Sequence, residues 1–294
     1  MYERAIEKGL KQRAILYYKW KDLKNGPDIL ENKKNRKKQL NIGGVKILGD
    51  GSVSGKTAWV KPSYLGDDEN YGLKTTTQEE LLAAAKFAEK NKLQLVVHAM
   101  GEQAIDLVVN TFYKKENWLK ERPSVRVEHA AMPTKEALEK AAAGNIAFVS
   151  QPIFLYAEIE SYLNNLGQER TKRNYPYKTI LDYGIELAFS SDAPATAWAD
   201  PVDPFTAIKS AVTRKAYDGK DTGQAEKIDL ATAINLYTKK GANVIGIPDI
   251  GQLKEGFKAD FIILDKDIFE IDSKNIDKVE VEKTYMNGKL VFEK

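Results

Sequence analysis

The chain has 294 residues, 43% of them hydrophobic and 30% charged, and its 45 Lys and Arg against 42 Asp and Glu leave a net charge of +3. A chain of this length can bury a large core, and a near-neutral balance gives no electrostatic case for a nucleic-acid or membrane partner. Cysteine is absent, which removes any disulfide framework and any thiolate chemistry. No apolar run approaches the roughly 20 residues of a membrane helix, and the start, Met1 to Lys8, lacks the apolar core of a secretory signal. A cytoplasmic protein is the expectation.

Residues 1–12 read as a helix, with Ile6 and Leu10 one turn apart, and 13–18 as a first strand. The polar stretch 21–39 holds a dense basic run at 32–38. No aromatic residues are interleaved there for base stacking, so the run reads as a solvated helix or loop. A second strand at 45–48 enters the glycine-rich loop Gly49 to Gly55, which lacks the Lys-Ser/Thr ending of a phosphate-binding loop. Thr77, with Glu80 three residues on, predicts a capped helix whose apolar positions 81, 82, 84, 85 and 88 face a sheet. Further strands are predicted at 93–98, 125–129, 146–150 and 185–191. Helices are predicted from Thr134 to about Gly144, after Gln151-Pro152 through Leu166, up to Gly184, and over 205–217 and 229–241. Past Gly246 the pattern changes to short strand-like runs around Ala259–Asp265 and Val281–Phe292, the latter split by Asn287-Gly288, a strong hairpin signal.

Strands alternating with helices spell a parallel α/β architecture. About six such strands fall short of a complete (β/α)8 barrel. The expected layout is a barrel portion over 1–245 and a β appendage over 246–294.

The chain contains two histidines. Each closes an apolar run and is followed by small residues: Leu95-Val96-Val97-His98-Ala99 and Val127-Glu128-His129-Ala130. Two further polar side chains lie on or at the end of strands, Lys46 and Asp192. Neutral imidazoles are good ligands for zinc and similar divalent ions, and a nearby acid can ligate the metal or take a proton from water that the metal activates. Other readings stand beside this one. Asp192 is also good turn chemistry in Asp-Ala-Pro, and Lys46 alone reads as an exposed or snorkelling lysine. Glu102, Gln103 and Glu128 read as supporting or helix-start residues. Trp59, Tyr64, Tyr156 and Trp198 either line a pocket or pack.

Several segments together resemble the metal-dependent amidohydrolase superfamily, and within it amidohydrolase family 3, which includes N-substituted formamide deformylase-like enzymes. They are Gly44-Val45-Lys46-Ile47-Leu48-Gly49-Asp50-Gly51-Ser52, Val97 to Gly101 with Ala104 and Asp106, Val127 to Ala130, and Phe189-Ser190-Ser191-Asp192-Ala193-Pro194. The likeness continues through Gly251-Gln252-Leu253, Gly256 to Phe261, and Tyr285-Met286-Asn287-Gly288-Lys289. The resemblance implies a distorted TIM barrel beside a β-sandwich. It also implies that His98 and His129 are the metal ligands of strands five and six, and that Asp192 is the catalytic and metal-binding acid of strand eight. Lys46 matches the strand-four lysine that can be carboxylated into an oxygen ligand, with Asp50 as an alternative oxygen donor.

The departure is the first strand's His-x-His pair, which both histidines being already assigned leaves without residues. Strands one and two and half of the sandwich are missing as well. The chain therefore resembles the C-terminal two-thirds of a longer enzyme, expected to hold one ion at most, zinc foremost, and no binuclear centre. The implied activity is hydrolysis of an amide or N-acyl C–N bond in a small molecule. The rival is a truncated, catalytically inactive barrel fragment. Unpaired barrel edges lead to the expectation of a homo-oligomer that covers them.

Overall fold

The computed structural model describes residues 1–23, 29–198 and 200–294. Residues 24–28 of the polar stretch and Ala199 of the loop 193–204 lie outside the described residues. Six parallel strands form one sheet in chain order: β1 (Ala14–Lys19), β2 (Leu40–Leu48), β3 (Gln94–Ala99), β4 (Val125–His129), β5 (Ala147–Ser150) and β6 (Leu187–Phe189). β1 and β6 are the two edges, so the sheet is an open portion of a TIM-like barrel, as expected.

Register divides the side chains between two faces. Val45, Ile47, Leu95, Val97, Val125, Val127, Phe148 and Leu187 are all buried and form the apolar core with the helices. One such helix, Gln78–Lys90, starts where Thr77 accepts from the Glu80 amide at 3.2 Å, and it buries Leu81, Ala84, Ala85 and Ala88. Another, Lys135–Ala143, starts on Thr134, whose hydroxyl accepts from the Ala137 amide at 3.0 Å. These caps satisfy amides that no helical carbonyl can reach.

On the opposite face, cross-strand neighbours form layers. Lys19, Lys46, Val96, Arg126 and Ala147 make one; Leu48, His98, Glu128, Val149 and Ala188 make the next, nearer the C-terminal ends of the strands. Leu48 is 52% exposed, as befits an inner face that the open sheet leaves uncovered. This face carries a buried polar network. Arg126 Nε donates to Glu128 Oε1 at 2.6 Å, its guanidinium lies 4.9 Å from the Tyr17 ring centroid, and the Tyr17 hydroxyl donates to Gln94 Oε1 at 3.1 Å.

Some elements depart from the sequence expectation for local physical reasons. β2 begins five residues earlier than predicted, through Gly43 and Gly44, which are poor strand formers. They are needed because the neighbours crowd in. A Cβ on Gly44 would stand 2.3 Å from the Gln94 carbonyl oxygen and 2.5 Å from the Tyr17 ring, and one on Gly43 would stand 2.4 Å from Ile15. β6 covers only 187–189 of the predicted 185–191. The first helix is Tyr2–Glu7 and buries no residue. The region 229–241 holds two helices, Leu230–Tyr237 and Lys239–Ile245, broken at Thr238. The helix predicted over 205–217 ends at Thr213, because Arg214 turns left-handed and sends its fully buried guanidinium to the carbonyls of Asn174, Tyr175, Thr222 and Gly223.

The C-terminal part is a three-stranded antiparallel sheet, β7 (Phe261–Leu264), β8 (Val281–Met286) and β9 (Lys289–Glu293). Asn287 and Gly288 both take positive φ, 51° and 74°, as a tight hairpin turn requires. The Arg13 fork grips Asp260 at 2.5 and 3.1 Å, tying β1 to this sheet. Ile268, Ile276 and Val279 join the barrel's own core, so apolar packing runs unbroken across residue 245.

Arg126→Met leaves the buried Glu128 carboxylate without its partner, and the expected loss is about 3–5 kcal/mol. Chemical denaturation checks this: the double variant Arg126→Met/Glu128→Leu should lie closer to wild type than the single one does.

Candidate metal centre

The four predicted side chains arrive from β2, β3, β4 and the segment following β6. His98 projects from the inner face of β3, and its Nε2 lies 2.8 Å from the Gly51 carbonyl oxygen. A carbonyl only accepts, so Nε2 carries a proton, and in the neutral ring the lone pair sits on Nδ1. Asp50 Oδ1 is 3.3 Å from the same nitrogen.

The Asp50 carboxylate is fully buried and accepts from three backbone amides, those of Met100 at 3.0 Å, Gly101 at 2.8 Å and Trp59 at 2.9 Å. Of the two oxygen donors weighed beside the histidines, this one is already engaged in holding the loops after β2 and β3 together. Gly101 can approach because it has no Cβ; one built there would meet the Trp59 carbonyl oxygen at 2.2 Å.

His129 is the last residue of β4, and strict alternation would send it to the helix-covered face with Val125 and Val127. It has φ 73° instead, followed by Ala130 at 46°, so the chain leaves the pleat there. Its ring meets His98 edge-on with centroids 4.4 Å apart and stacks on Phe154 at 5.6 Å. It is 3% exposed, and Nδ1 is buried without a hydrogen-bond partner. Burial pushes its pKa well below the usual imidazole value, and the neighbouring His98 and Lys46 push the same way. The ring is therefore neutral, which is the form that donates a lone pair to a metal.

Asp192 has φ 50°, and its Oδ2 lies 3.9 Å from His129 Nε2. Its side chain is 46% exposed; partial desolvation raises its pKa, and Lys46 opposes that shift. Burial lowers the pKa of Lys46, with Glu128 acting against it, Arg126 with it, and Asp192 again against it.

His98, His129 and Asp192 thus meet at the C-terminal end of the sheet, with Lys46 one layer below, and the two imidazole rings face each other there. Among the described residues, no three His, Cys, Asp or Glu side chains stand close enough to form a complete ligand set. The donor chemistry fits a divalent ion gripped by two imidazoles with other positions left to oxygen, rather than a closed structural site. His98 supports that fit, since metal-ligating histidines usually give their other N–H to a carbonyl or carboxylate.

The accessory residues sort differently. Glu102 opens the helix Glu102–Phe112 and pairs with Arg170 at 3.3 Å, and Gln103 donates to the Val60 carbonyl at 2.8 Å. Glu128 is the partner of Arg126. Tyr64 is buried with its hydroxyl on the Ala58 carbonyl at 2.9 Å, so it packs. Tyr156 and Trp198 meet edge-on at 5.0 Å. In the basic run, Lys34 bonds the Asn91 carbonyl and Glu31, and Arg36 the Gly246 carbonyl and Glu121. Sequence reasoning missed Gln151 and the serines beside it. Ser150 Oγ donates to the His129 carbonyl at 2.9 Å, and Gln151 Nε2 donates to Ser190 Oγ at 2.8 Å, lacing the ends of β4, β5 and β6. The available signal was a buried polar pair directly at a strand end.

The sequence model of the Amidohydrolase family matches residues 1–292. The chain is 34% identical over 259 residues to YtcJ of Bacillus subtilis (strain 168), whose name assigns it to the amidohydrolases, covering 87% of this chain and 48% of that protein. It is 25% identical over 232 residues to the N-substituted formamide deformylase of Arthrobacter pascens, covering 78% and 42% respectively. Among solved structures, an uncharacterized metal-dependent hydrolase from Pyrococcus horikoshii OT3 superposes with a TM-score of 0.78 at 28% identity, over 92% of this chain and 54% of that one. The chain spans about half the length of the relatives it matches. It belongs to the amidohydrolase family.

Proposed function

We propose that this chain carries the ligand-bearing part of a hydrolase that cleaves a non-peptide C–N bond, an amide or N-acyl group, in a small molecule. The observation that carries the reading is the pair of imidazoles, 4.4 Å apart on adjacent strand ends, with an Asp192 oxygen 3.9 Å from the second. The deformylase relative, named for cleavage of an N-substituted formamide, supports the bond type. In this reading 1–245 is the barrel portion, 246–294 a β appendage, and the protein works in the cytoplasm.

His98 offers Nδ1 and His129 is neutral, so both suit zinc. Lys46, its pKa lowered by burial, is more readily a neutral amine than a surface lysine is, and a neutral amine is what carboxylation requires. The resulting carbamate would add an oxygen ligand. A divalent ion held by these residues would supply Lewis acidity at the substrate carbonyl. Asp192, its pKa raised by partial burial, accepts the proton of the attacking water and returns it to the departing amine nitrogen. Water adds to the carbonyl carbon as the C–N bond breaks, giving acid and amine.

A second reading, a barrel fragment without a complete metal site, draws on the lack of a three-residue ligand set among the described residues. Metal analysis separates the two. The proposed site binds zinc stoichiometrically and loses it in His98→Ala/His129→Ala; a folded chain that binds no zinc supports the fragment.

Asp192→Asn should retain zinc while turnover of an N-formyl or N-acyl amine falls by about 10²–10⁴-fold, the usual share of a general acid–base group. The open edges at β1 and β6 further suggest self-association. Light scattering after size-exclusion chromatography should find a dimer or larger species, and a monomer at all concentrations counts against it.

A further inference from the structure

The segments leading into β2, β3 and β4 enclose a cavity of about 390 Å³, at the end of the sheet away from the candidate metal centre. Five cations line it, Lys34, Arg36, Lys92, Lys120 and Arg122, against one carboxylate, Glu121. Arg122 is the anchor. It is 7% exposed, its two terminal nitrogens donate to the Ile245 and Gly43 carbonyls, and its Nε is buried without a partner. Arg36 donates to the next carbonyl, that of Gly246, at 2.6 Å. The two side chains meet across that glycine, where a Cβ would stand 2.4 Å from Arg122 Cδ and 2.6 Å from Arg36 Nη1. Carbonyls orient guanidinium groups but leave their charge uncancelled, and a guanidinium does not shed its proton. Among the described residues the ion pairs of this group are Lys34–Glu31 and Arg36–Glu121, so Lys92, Lys120 and Arg122 have none. Glu121 is largely exposed, and water screens its pair. A buried charge without a counter-charge is costly, and a bound anion would relieve it.

We propose that this cavity is a second ligand site, one that takes a phosphate group borne on a small organic molecule. Arginine forks and ammonium groups together match the several oxygens and the double charge of a phosphomonoester. The rest of the wall is apolar, from Ile42, Leu93 and Trp118, and the Trp118 ring is held by its Nε1 donating to the Leu93 carbonyl at 2.7 Å. The site therefore has a charged side for the phosphate and an apolar side for the organic part, in a volume typical of small-molecule pockets. Barrels of this kind do their chemistry at the C-terminal ends of the strands. A ligand at the opposite end is thus an effector or a stabiliser, not the substrate. It would brace the feet of three strands against the helix Lys239–Ile245, whose last carbonyls hold both arginines.

Calorimetric titration of the whole metal-free chain with phenyl phosphate, at fixed ionic strength, tests this. Saturable binding at one site is expected, tighter than for inorganic phosphate, and the bound ligand should raise the melting temperature. Lys92→Gln/Lys120→Gln alters two exposed lysines and should leave the fold intact. It should weaken phenyl phosphate binding about tenfold or more, the usual effect of losing charge-assisted contacts. His98→Ala/His129→Ala should bind phenyl phosphate as the wild type does, which sets this site apart from the candidate metal centre. Absence of saturable binding in the wild type overturns the proposal. Binding that is unchanged in the lysine variant, or lost in a folded histidine variant, overturns it equally. A short single-stranded DNA that binds where phenyl phosphate does not would make the cavity part of a nucleic-acid surface, and the proposal would fall.

Discussion

The mouth of this sheet is held by one buried carboxylate. Asp50 gathers the amides of Trp59, Met100 and Gly101 and faces the ring of His98. A desolvated carboxylate is tolerable only when its lone pairs are met, and three backbone donors meet them without competing positive charge. In doing so it ties the long loop after β2 to the turn after β3. The loop places the Gly51 carbonyl against His98, and that contact decides which nitrogen of the ring is free. Remove the carboxylate and three amides are orphaned at once, with the loop's register released. The aspartate thus shapes the site without needing to touch anything bound there.

Beneath the mouth, the inner face of the sheet carries a polar network among its apolar residues, where most parallel sheets are apolar on both sides. Tyr17, Gln94, Arg126 and Glu128 form a connected set, and the Gln94 amide nitrogen donates outward to the Pro123 and Val244 carbonyls. Its charges act on Lys46: Glu128, one layer nearer the mouth, counters the desolvation of that lysine, and Arg126, in the same layer, adds to it. The chemistry of Lys46 is therefore set partly by charges on β4.

The strands were legible in the sequence because each buried run is apolar and stops at a polar residue or a turn. The helix caps at Thr77 and Thr134 and the Asn287-Gly288 hairpin were legible for the same local reasons. The start of β2 was hidden, since glycines that make room for Tyr17 look like loop until the neighbouring strand is present. The helix end at Arg214 depends on distant carbonyls and left no local mark. At the candidate centre, histidine scarcity pointed to His98 and His129, and the structure brings their rings together. Asp50 was noticed as an oxygen donor, but its engagement with amides is a long-range fact. Gln151 was invisible, because a glutamine before proline reads as an ordinary helix entry.

His129, Ala130 and Asp192 all have positive φ, a region where side chains other than glycine carry strain of order 1 kcal/mol or more each. The rim is thus a loaded spring held shut by the packing of Phe154 and the buried surroundings of Ala130. Glycine at residue 130 would ease that load but would remove a fully buried methyl and free the backbone beside the imidazole, so the strain is the consequence of aiming the His129 ring out of the pleat.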